Sequence, residues 1–560
     1  MKLELTPALQ VLVEQALRGL DERDFGRRLW ERDTTLWKST PAHQAIIAEA
    51  LGWLSVPADI REQVAELVGF VDEVRAEGYT DAVLLGMGGS SLAPEVLRRT
   101  FGVAEGYLDL HVLDSTDPQA VLDLERSLDF ERTLFVVASK SGGTTETASF
   151  HAYFYHALEH LGGELAGRHF VAITDEDTSL QREALAEDFR AVFVNPSDIG
   201  GRYSALSFFG LVPGALIGLD LDALLGRALA MADTCAAGKA AVESPGAHLG
   251  AVLGGLAGAG RDKLTLLASP GVVSFGAWVE QLVAESTGKE GMGIVPVDLE
   301  PLAEPARYGD DRLFVYVRLA AAADAGQDMA AAALADAGQP VVTIDLDDPL
   351  DLGGEFLRWE IATAAAGALL GIDPFDQPNV QESKDNTKRL LAGFVASGEL
   401  MTEEPGGADA KLSLPIADDG LPEVLRGFLA QTAAGDYVAL QAYVAPDPAL
   451  WDALQRVRAV LRDRLRAATT LGYGPRFLHS TGQLHKGGPN TGLFLQLVGH
   501  DREDASIPGQ PYSFSVLKRA QARGDFSALR AHGCRALRIC LGDDVPAAVA
   551  KLLELVEAAT

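Results

Sequence analysis

The hydrophobic pattern changes character several times along the chain. In the first 75 residues, apolar positions recur every three or four residues in LQVLVEQALRGL and IREQVAELVGFVDEVRAEG, which predicts amphipathic helices. From about residue 80, short continuous apolar runs alternate with helical patterns, as is typical of strands buried on both faces of a parallel sheet. The predicted strands of this series are DAVLLGMGG, LDLHVLD, TLFVVASKSGG, HFVAITDED and AVFVNP.

A second series of predicted strands begins near residue 262, and a third follows residue 420. The second comprises KLTLLASPG, GMGIVPVD, RLFVYVRL and PVVTIDLDD, and the third comprises DYVALQAYV, PRFLHSTG, GLFLQLVG and RALRICLG. Strands that alternate with helices form parallel sheets with right-handed crossovers. The pattern therefore predicts an α/β fold with two tandem doubly wound parallel-sheet domains, a helical N-terminal segment and a smaller C-terminal α/β domain.

Composition indicates where these units begin and end. The stretch from 400 to 420 is rich in Glu, Pro, Gly and Asp and poor in apolar residues, which favours a linker or an excursion. We predict a helical segment over 1–75, a first α/β domain over 76–220, a second over 221–400 and the C-terminal domain over 401–560.

Charge and cysteine content narrow the function classes. The 560 residues carry a net charge of -32, so the protein repels phosphate backbones and anionic lipid surfaces, and we expect neither a nucleic-acid nor a membrane partner. Cys235, Cys534 and Cys540 form neither a disulfide framework nor a zinc motif. With no signal-peptide pattern and no long apolar run, the sequence predicts a cytoplasmic protein.

Two Gly-rich turns of the first predicted sheet carry the strongest chemical signal. LLGMGGSSLAPEVL and VVASKSGGTTETASF each run from a strand through a turn into a helix, and they place Ser90, Ser139, Ser141 and Thr144 at helix starts. Hydroxyls and free backbone N–H groups at the carboxyl ends of strands suit a phosphate monoester on a small molecule. Neither turn has the P-loop or dinucleotide fingerprint. Two ordinary helix N-caps without a ligand are the alternative.

These turns resemble a known enzyme family. SKSGGTTET is similar to the phosphate loop of sugar isomerase (SIS) domains and to the S-K-T-F-T-T-x-E-T segment of glucose-6-phosphate isomerases, and GMGGSSLAP is similar to their G-I-G-G-S-x-L-G-P. GGRYSALSFFGL, WVEQLVAESTGKEG and FDQPNVQESK resemble the family's G-G-R-[YF]-S, E-S-N-G-K and F-D-Q-[PW]-G-V-E-x-x-K segments. The five motifs keep the family order between residues 86 and 384.

The resemblance is greatest to the isomerase half of bacterial transaldolase/glucose-6-phosphate isomerase fusions, although the sequence begins at Met1 and we expect no transaldolase barrel. It implies that both tandem domains are SIS-type. It also implies that the protein interconverts glucose-6-phosphate and fructose-6-phosphate, a step of glycolysis and gluconeogenesis, by moving a proton between C1 and C2 through a cis-enediol.

The same resemblance implies roles for individual residues. Glu285 matches the family's base, Arg202 matches the arginine that stabilises the enediolate, and Lys384 matches the lysine near the ring oxygen. By themselves these three would be a solvated carboxylate, an arginine paired with an aspartate such as Asp198, and a surface lysine. The positions that match the family's phosphate ligands are Ser90, Ser139, Lys140, Ser141 and Thr144.

The ring-opening histidine departs from the family pattern. The family has a G-Q-H motif between its glutamate and its lysine and takes this histidine from the other subunit of a dimer, whereas this chain has no histidine between Glu285 and Lys384. The later segment FLHSTGQLHKGG carries two, His479 and His485. Because TGQLH is closest to G-Q-H, we expect His485 to open the ring, with His479 as the alternative. The alternative is that both histidines lie in a solvated turn and have no catalytic role.

Other interpretations stay open from sequence alone. Thr287 replaces the family's usual Asn beside Glu285, which leaves a dual phosphoglucose/phosphomannose isomerase open. A non-catalytic SIS sugar-phosphate sensor would lack the base, and the joint presence of Glu285, Arg202 and Lys384 argues against it. We expect no metal and no organic cofactor, and a homodimer is left open.

Overall fold

A computed structural model describes residues 1–160, 166–400, 409–411 and 420–560, with 409–411 described by backbone alone. Its strands are β1 (Lys2–Glu4), β2 (Asp81–Gly86), β3 (Asp109–Leu113), β4 (Thr133–Ala138), β5 (Phe170–Asp175), β6 (Ala191–Asn195), β7 (Lys263–Ala268), β8 (Val295–Val297), β9 (Arg312–Leu319), β10 (Val341–Leu346), β11 (Asp409–Lys411), β12 (Tyr437–Tyr443), β13 (Ala468–Tyr473), β14 (Gly492–Gly499) and β15 (Arg535–Gly542).

The α-helices are α1 (Pro7–Glu22), α2 (Phe25–Trp30), α3 (Pro41–Ala48), α4 (Val56–Arg61), α5 (Val64–Ala76), α6 (Leu92–Phe101), α7 (Pro118–Ser127), α8 (Thr145–His160), α9 (Ser179–Ala186), α10 (Phe208–Leu216), α11 (Leu221–Thr234), α12 (Pro245–Ala257), α13 (Phe275–Thr287), α14 (Ala325–Asp336), α15 (Leu352–Leu370), α16 (Val380–Ser397), α17 (Leu421–Leu429), α18 (Pro448–Leu465), α19 (Gly482–Gly487), α20 (Phe514–Ala531) and α21 (Val545–Ala559). None of the described helices has the length and apolar content needed to cross a membrane.

The strands form three five-stranded sheets in which four of the five strands follow the same order. The orders are β3-β2-β4-β5-β6 for the first sheet, β8-β7-β9-β10-β1 for the second and β13-β12-β14-β15-β11 for the third. All neighbours are parallel except β1, which pairs antiparallel with β10. The strand order reverses between β2 and β4 in the first sheet, between β7 and β9 in the second and between β12 and β14 in the third. Ligands of open α/β sheets bind beside the carboxyl ends of the strands at such a point.

The predicted α/β class and nearly all predicted strands are confirmed. The exception is PRFLHSTG, which we predicted as a strand and which forms a short 3-10 helix, Arg476–His479, after the true strand β13. Pro475 has no N–H to give to a sheet, and Phe477 packs edge-on against Tyr443 with ring centroids 5.5 Å apart. The strands β1, β11 and β13 were not predicted.

The N-terminal segment packs against the second sheet rather than standing alone. The Trp37 indole donates to the carbonyl oxygen of Ala364 at 2.8 Å, and α1 lies on α12 and α15. The Gly/Ala-rich helix α12 was expected to pack closely, and a Cβ at Gly250 would lie only 2.5 Å from the Cβ of Ala365 on α15. Of the predicted linker, residues 401–408 and 412–419 lie outside the described residues. The boundaries near residues 75, 220 and 400 stay predictions.

Elements α17 to α21 and the third sheet, here called the third unit, have an apolar core of their own that includes Leu440, Leu454, Leu495 and Leu552. Its turn between β13 and α19 extends toward the first sheet, where the carbonyl oxygen of His479 lies beside Gly88. The helix α20 packs against α16, which lies in the second predicted domain. The third unit therefore covers the carboxyl edge of the first sheet.

Candidate active site

The two Gly-rich turns lie side by side because they follow adjacent strands, β2 and β4. The first turn is tight, with Gly88 at φ 56°, and the second has Gly142 at φ 66°, both conformations that favour glycine. In the second turn the hydroxyls of Ser139 and Thr144 lie 3.0 Å apart, directly before α8 begins. The two hydroxyls thus lie together directly before the start of the helix.

Other predicted phosphate residues are placed differently. The Lys140 ammonium forms an ion pair with Asp175 and donates to the Ser197 carbonyl oxygen at 2.9 Å. Its charge is therefore already engaged beside the loop. The Ser141 hydroxyl accepts from the Gly143 N–H at 3.4 Å, and Ser90 is buried in the neighbouring turn.

Arg202 and Glu285 meet on the far side of the first turn. Both are buried, and Arg202 Nη1 lies 3.5 Å from Glu285 Oε1. Arg202 Nε donates to the Ser286 hydroxyl at 2.7 Å, and its Nη2 donates to the carbonyl oxygens of Pro374 and Asp376 at 2.8 and 3.0 Å. Arg202 therefore does not pair with Asp198, and its planar group is fixed beside the carboxylate.

Close backbone approach brings these groups to the first turn. A Cβ on Gly89 would collide with the carbonyl oxygen of Gly201, the residue before Arg202. Gln281, one helical turn before Glu285 on α13, donates from Nε2 to Glu285 Oε2 at 3.1 Å and to the His479 carbonyl oxygen at 2.8 Å. Gln281 thus joins the carboxylate to the turn that carries the histidine.

His479 lies at the phosphate loop. Its Nε2 is 2.9 Å from Oε1 of Glu146, which also accepts from Gln521 Nε2 at 2.7 Å. Burial alone would raise the pKa of Glu146, but the charge of His479 and its hydrogen bond outweigh burial and leave that pKa below the ordinary 4.5. Glu146 is consequently a carboxylate at neutral pH that orients the imidazole.

His485 lies elsewhere. It is buried within the third unit, with its ring centroid 4.9 Å from that of Phe494 and its Nδ1 3.3 Å from Gln441 Nε2. Burial and the charge of Lys486 hold the pKa of His485 well below its ordinary 6.5. The geometry therefore favours His479 over the residue that we expected to open the ring, because a G-Q-H likeness says nothing about which way a side chain points.

A cleft connects the phosphate loop, the histidine and the lysine of α16. Lys384 lines it together with His479, Glu146 and Thr144. Five predicted segments are thus brought near one another: the two turns, the segments of Arg202 and Glu285, and the segment of Lys384. The other predicted site residues do not line the cleft itself: Ser90, Ser139, Lys140, Ser141, Arg202 and Glu285. Glu285 is connected to the turn of His479 through Gln281.

Sequence reasoning missed Glu146, Gln281 and Gln521. Glu146 was within reach, because it stands in the quoted TTET segment and a carboxylate in the first turn of a helix is favoured by the helix dipole. Gln281 precedes Glu285 by four residues and so shares its helix face. Nothing local marks Gln521, which lies 375 residues from Glu146 along the chain.

Two clusters among the described residues have ligand atoms close enough to hold a metal ion. One is His43, Asp373 and Asp376, and the other is Asp81, Asp109 and His111. In the first cluster the Lys289 ammonium already lies 2.7 Å from Asp376 Oδ1, so a cation is in place. Neither cluster lines the cleft.

Comparison with known proteins gives consistent matches. The phosphoglucose isomerase family model matches residues 51–294. The glucose-6-phosphate isomerase of Rubrobacter xylanophilus is 29% identical over 424 residues, which cover 66% of this chain and 94% of that protein. That of Thermus thermophilus is 30% identical, with 61% and 90% of the two chains covered.

Among solved structures, a hypothetical protein from Thermus thermophilus matches with a TM-score of 0.59 at 28% identity, covering 70% of this chain and all of the other. A glucose-6-phosphate isomerase from Chlamydia trachomatis, at 20% identity and a TM-score of 0.54, shares the fold. Together with the five motifs at the two turns, Arg202, Glu285 and Lys384, these matches show that the chain belongs to the glucose-6-phosphate isomerase family.

Proposed function

We propose that the protein is a glucose-6-phosphate isomerase that interconverts glucose-6-phosphate and fructose-6-phosphate. Membership of the family supports the reaction. The observation that carries the assignment of residues is the meeting of the Glu146–His479 pair with the loop of Ser139 and Thr144, next to Glu285. Acid–base groups and an anion site then face a single small substrate.

The substrate phosphate binds at the second turn. The hydroxyls of Ser139, Ser141 and Thr144 and the free N–H groups at the start of α8 donate to its oxygens, with Ser90 of the neighbouring turn beside them. A fixed phosphate orients the other end of the sugar for the proton transfers.

The ring opens between His479 and Lys384. His479 exchanges a proton with the sugar oxygens, and Glu146 stabilises the imidazolium that forms when His479 takes up that proton. An imidazole can both take up and release a proton, which suits this task. Lys384 lines the same cleft, and its ammonium favours negative charge that develops on oxygen.

Glu285 then moves the proton between C1 and C2 of the open chain. The Arg202 guanidinium, held by Ser286 and by two backbone carbonyls, stabilises the enediolate that forms between the two transfers. The free-energy cost of reorganising Arg202 during the reaction is small, because its contacts already fix the guanidinium.

No contact of Thr287 with the described residues extends the substrate range. The Thr287 hydroxyl donates to the Val283 carbonyl oxygen at 2.7 Å and accepts from the Ile294 N–H at 2.9 Å, so its hydrogen bonds are made with the backbone at the end of α13. Thr287 therefore gives no reason to expect activity on mannose-6-phosphate.

A coupled assay of fructose-6-phosphate conversion to glucose-6-phosphate with purified protein and EDTA tests the proposal. We expect turnover that EDTA does not remove, and exchange of the C2 hydrogen with solvent. Binding of sugar phosphate without turnover or exchange would favour a sensor instead.

A further inference from the structure

The phosphate end of the cleft has no available cation from its own loop, because Lys140 is engaged elsewhere. A sugar phosphate carries close to two negative charges at neutral pH, and the protein itself carries -32. The one lysine of the loop, Lys140, is engaged by Asp175 and the Ser197 carbonyl oxygen. Hydroxyls and N–H groups donate hydrogen bonds there, but they do not balance a dianion.

Lys388 stands where such a cation is needed. It follows Lys384 by one helical turn on α16, so both lysines share one face of the helix. Lys388 lines the cleft together with Gly143 and Thr144, and it also lines the adjoining groove, which Gly142 and Thr145 border. Its side chain therefore stands along the loop of residues 139–145.

The lysine is exposed and makes no hydrogen bond or ion pair with any residue that the structure describes. Its helix neighbours, by contrast, are fixed. The Thr387 hydroxyl donates to the Ser383 carbonyl oxygen at 2.9 Å, and a Cβ on Gly524 of α20 would come within 2.9 Å of that hydroxyl. The backbone is held by packing while the ammonium of Lys388 is left for a ligand.

We propose that Lys388 is a substrate-binding residue whose ammonium pairs with the phosphate group held by Ser139 and Thr144. The inference rests on the proposed function for the identity of the ligand. It separates the two lysines of α16, since Lys384 is close enough to Glu146 to lower the pKa of that carboxyl and so faces the acid–base end. Lys388 faces the anion.

The test compares Lys388→Met and Lys388→Arg with the native protein in the isomerase assay, with inorganic phosphate as competitor. For Lys388→Met we expect KM and the inhibition constant of inorganic phosphate to rise together by about ten- to a hundredfold, with kcat within about threefold. Arginine keeps the charge and should restore most of the affinity. Arg389→Met removes one charge from the next position of the same helix and should change neither constant.

Unchanged KM and unchanged inhibition by phosphate in Lys388→Met would overturn the inference. So would a loss of kcat that Lys388→Arg does not restore, because that indicates a structural role. Calorimetric binding of inorganic phosphate separates the two proposals: if the native protein does not isomerise but Lys388→Met still weakens phosphate binding, the proposed function fails and the anion site stands.

Discussion

The two ends of the cleft are built in opposite ways. The proposed phosphate end comes from a single turn, residues 139–145, and its hydroxyls are set by the strand and helix on either side. The proposed acid–base groups come from distant parts of the chain: Lys384 and His479 line the cleft, and Arg202 and Glu285 lie outside its lining. They are connected by contacts between units, such as the bond from Gln281, which also holds Glu285, to the His479 carbonyl oxygen.

This contrast separates binding from chemistry. A hydroxyl-rich turn at a helix start keeps its geometry through local backbone structure, so a change there should weaken binding and leave the rest intact. Arg202 and Glu285 are buried and His479 is half-buried at the junction of three units, where one displaced side chain affects its partners, whereas Lys384 is exposed. We therefore expect variants at one end to act on KM and variants at the other to act on kcat.

The largest expected effect is at the proposed base. Glu285→Gln keeps the shape of the side chain but cannot accept the proton, so kcat should fall by about 10²–10⁴ and exchange of the C2 hydrogen should fall in step. Glu290→Gln, an exposed residue just after α13, is the control and should retain activity. Native exchange in Glu285→Gln would assign the proton transfer to another residue.

The second effect distinguishes two histidines six residues apart. His479→Ala should slow turnover of cyclic glucose-6-phosphate by about 10²-fold, because ring opening loses its acid–base group, yet exchange on open-chain substrate should persist. His485→Ala should lower thermal stability, since it leaves a cavity beside Phe494, with ring opening retained. The reverse outcome would return the role to His485.

The third effect belongs to the phosphate end. Ser139→Ala with Thr144→Ala removes two donors to a charged group, each worth about 1.5–3 kcal/mol, so KM should rise by tenfold or more with kcat much less affected. Ser127→Ala removes an exposed hydroxyl from α7 of the same unit and serves as the control. Michaelis–Menten constants measure both, and an unchanged KM in the double variant would remove the phosphate from this turn.

The smallest effect concerns the buried charges under the histidine turn. Burial raises the pKa of Glu280 to about 7, and burial does the same for Asp298 beside it, while Ser480 donates to Glu280 Oε1 at 3.3 Å. A carboxyl whose pKa is raised by folding is protonated in the folded state and ionised in the unfolded state, so stability falls as pH rises from about 4.5 through about 7.

Glu280→Gln removes that dependence. Relative to the native protein, the free energy of unfolding of the variant should increase by on the order of 2 kcal/mol between about pH 5 and pH 8, as urea titrations can measure. Glu290→Gln, exposed, should follow the native protein at both pH values. A constant difference between Glu280→Gln and the native protein would mean that Glu280 is ionised throughout.

The sequence by itself determined the parts of the protein that depend on neighbours along the chain. Continuous apolar runs bounded by Gly-rich turns mark strands that are buried on both faces, so most strands of the sheets and both Gly-rich turns could be predicted. The motif around Glu285 similarly indicated a candidate base late in a helix, and the structure buries that carboxylate on α13. Only PRFLHSTG was assigned wrongly, because two adjacent apolar residues after a proline satisfy a strand pattern as well as a turn that packs on Tyr443.

Tertiary structure alone decided which distant side chains come into contact. His479 and His485 stand in one short segment with similar local sequence, yet one reaches Glu146, 333 residues away, and the other is enclosed by Phe494 and Gln441. The same holds for Lys140, whose charge is taken by Asp175, and for Lys388, which lies on a distant helix beside the loop. Direction of a side chain depends on the packing of units against each other, and that packing has no signature within a local stretch of sequence.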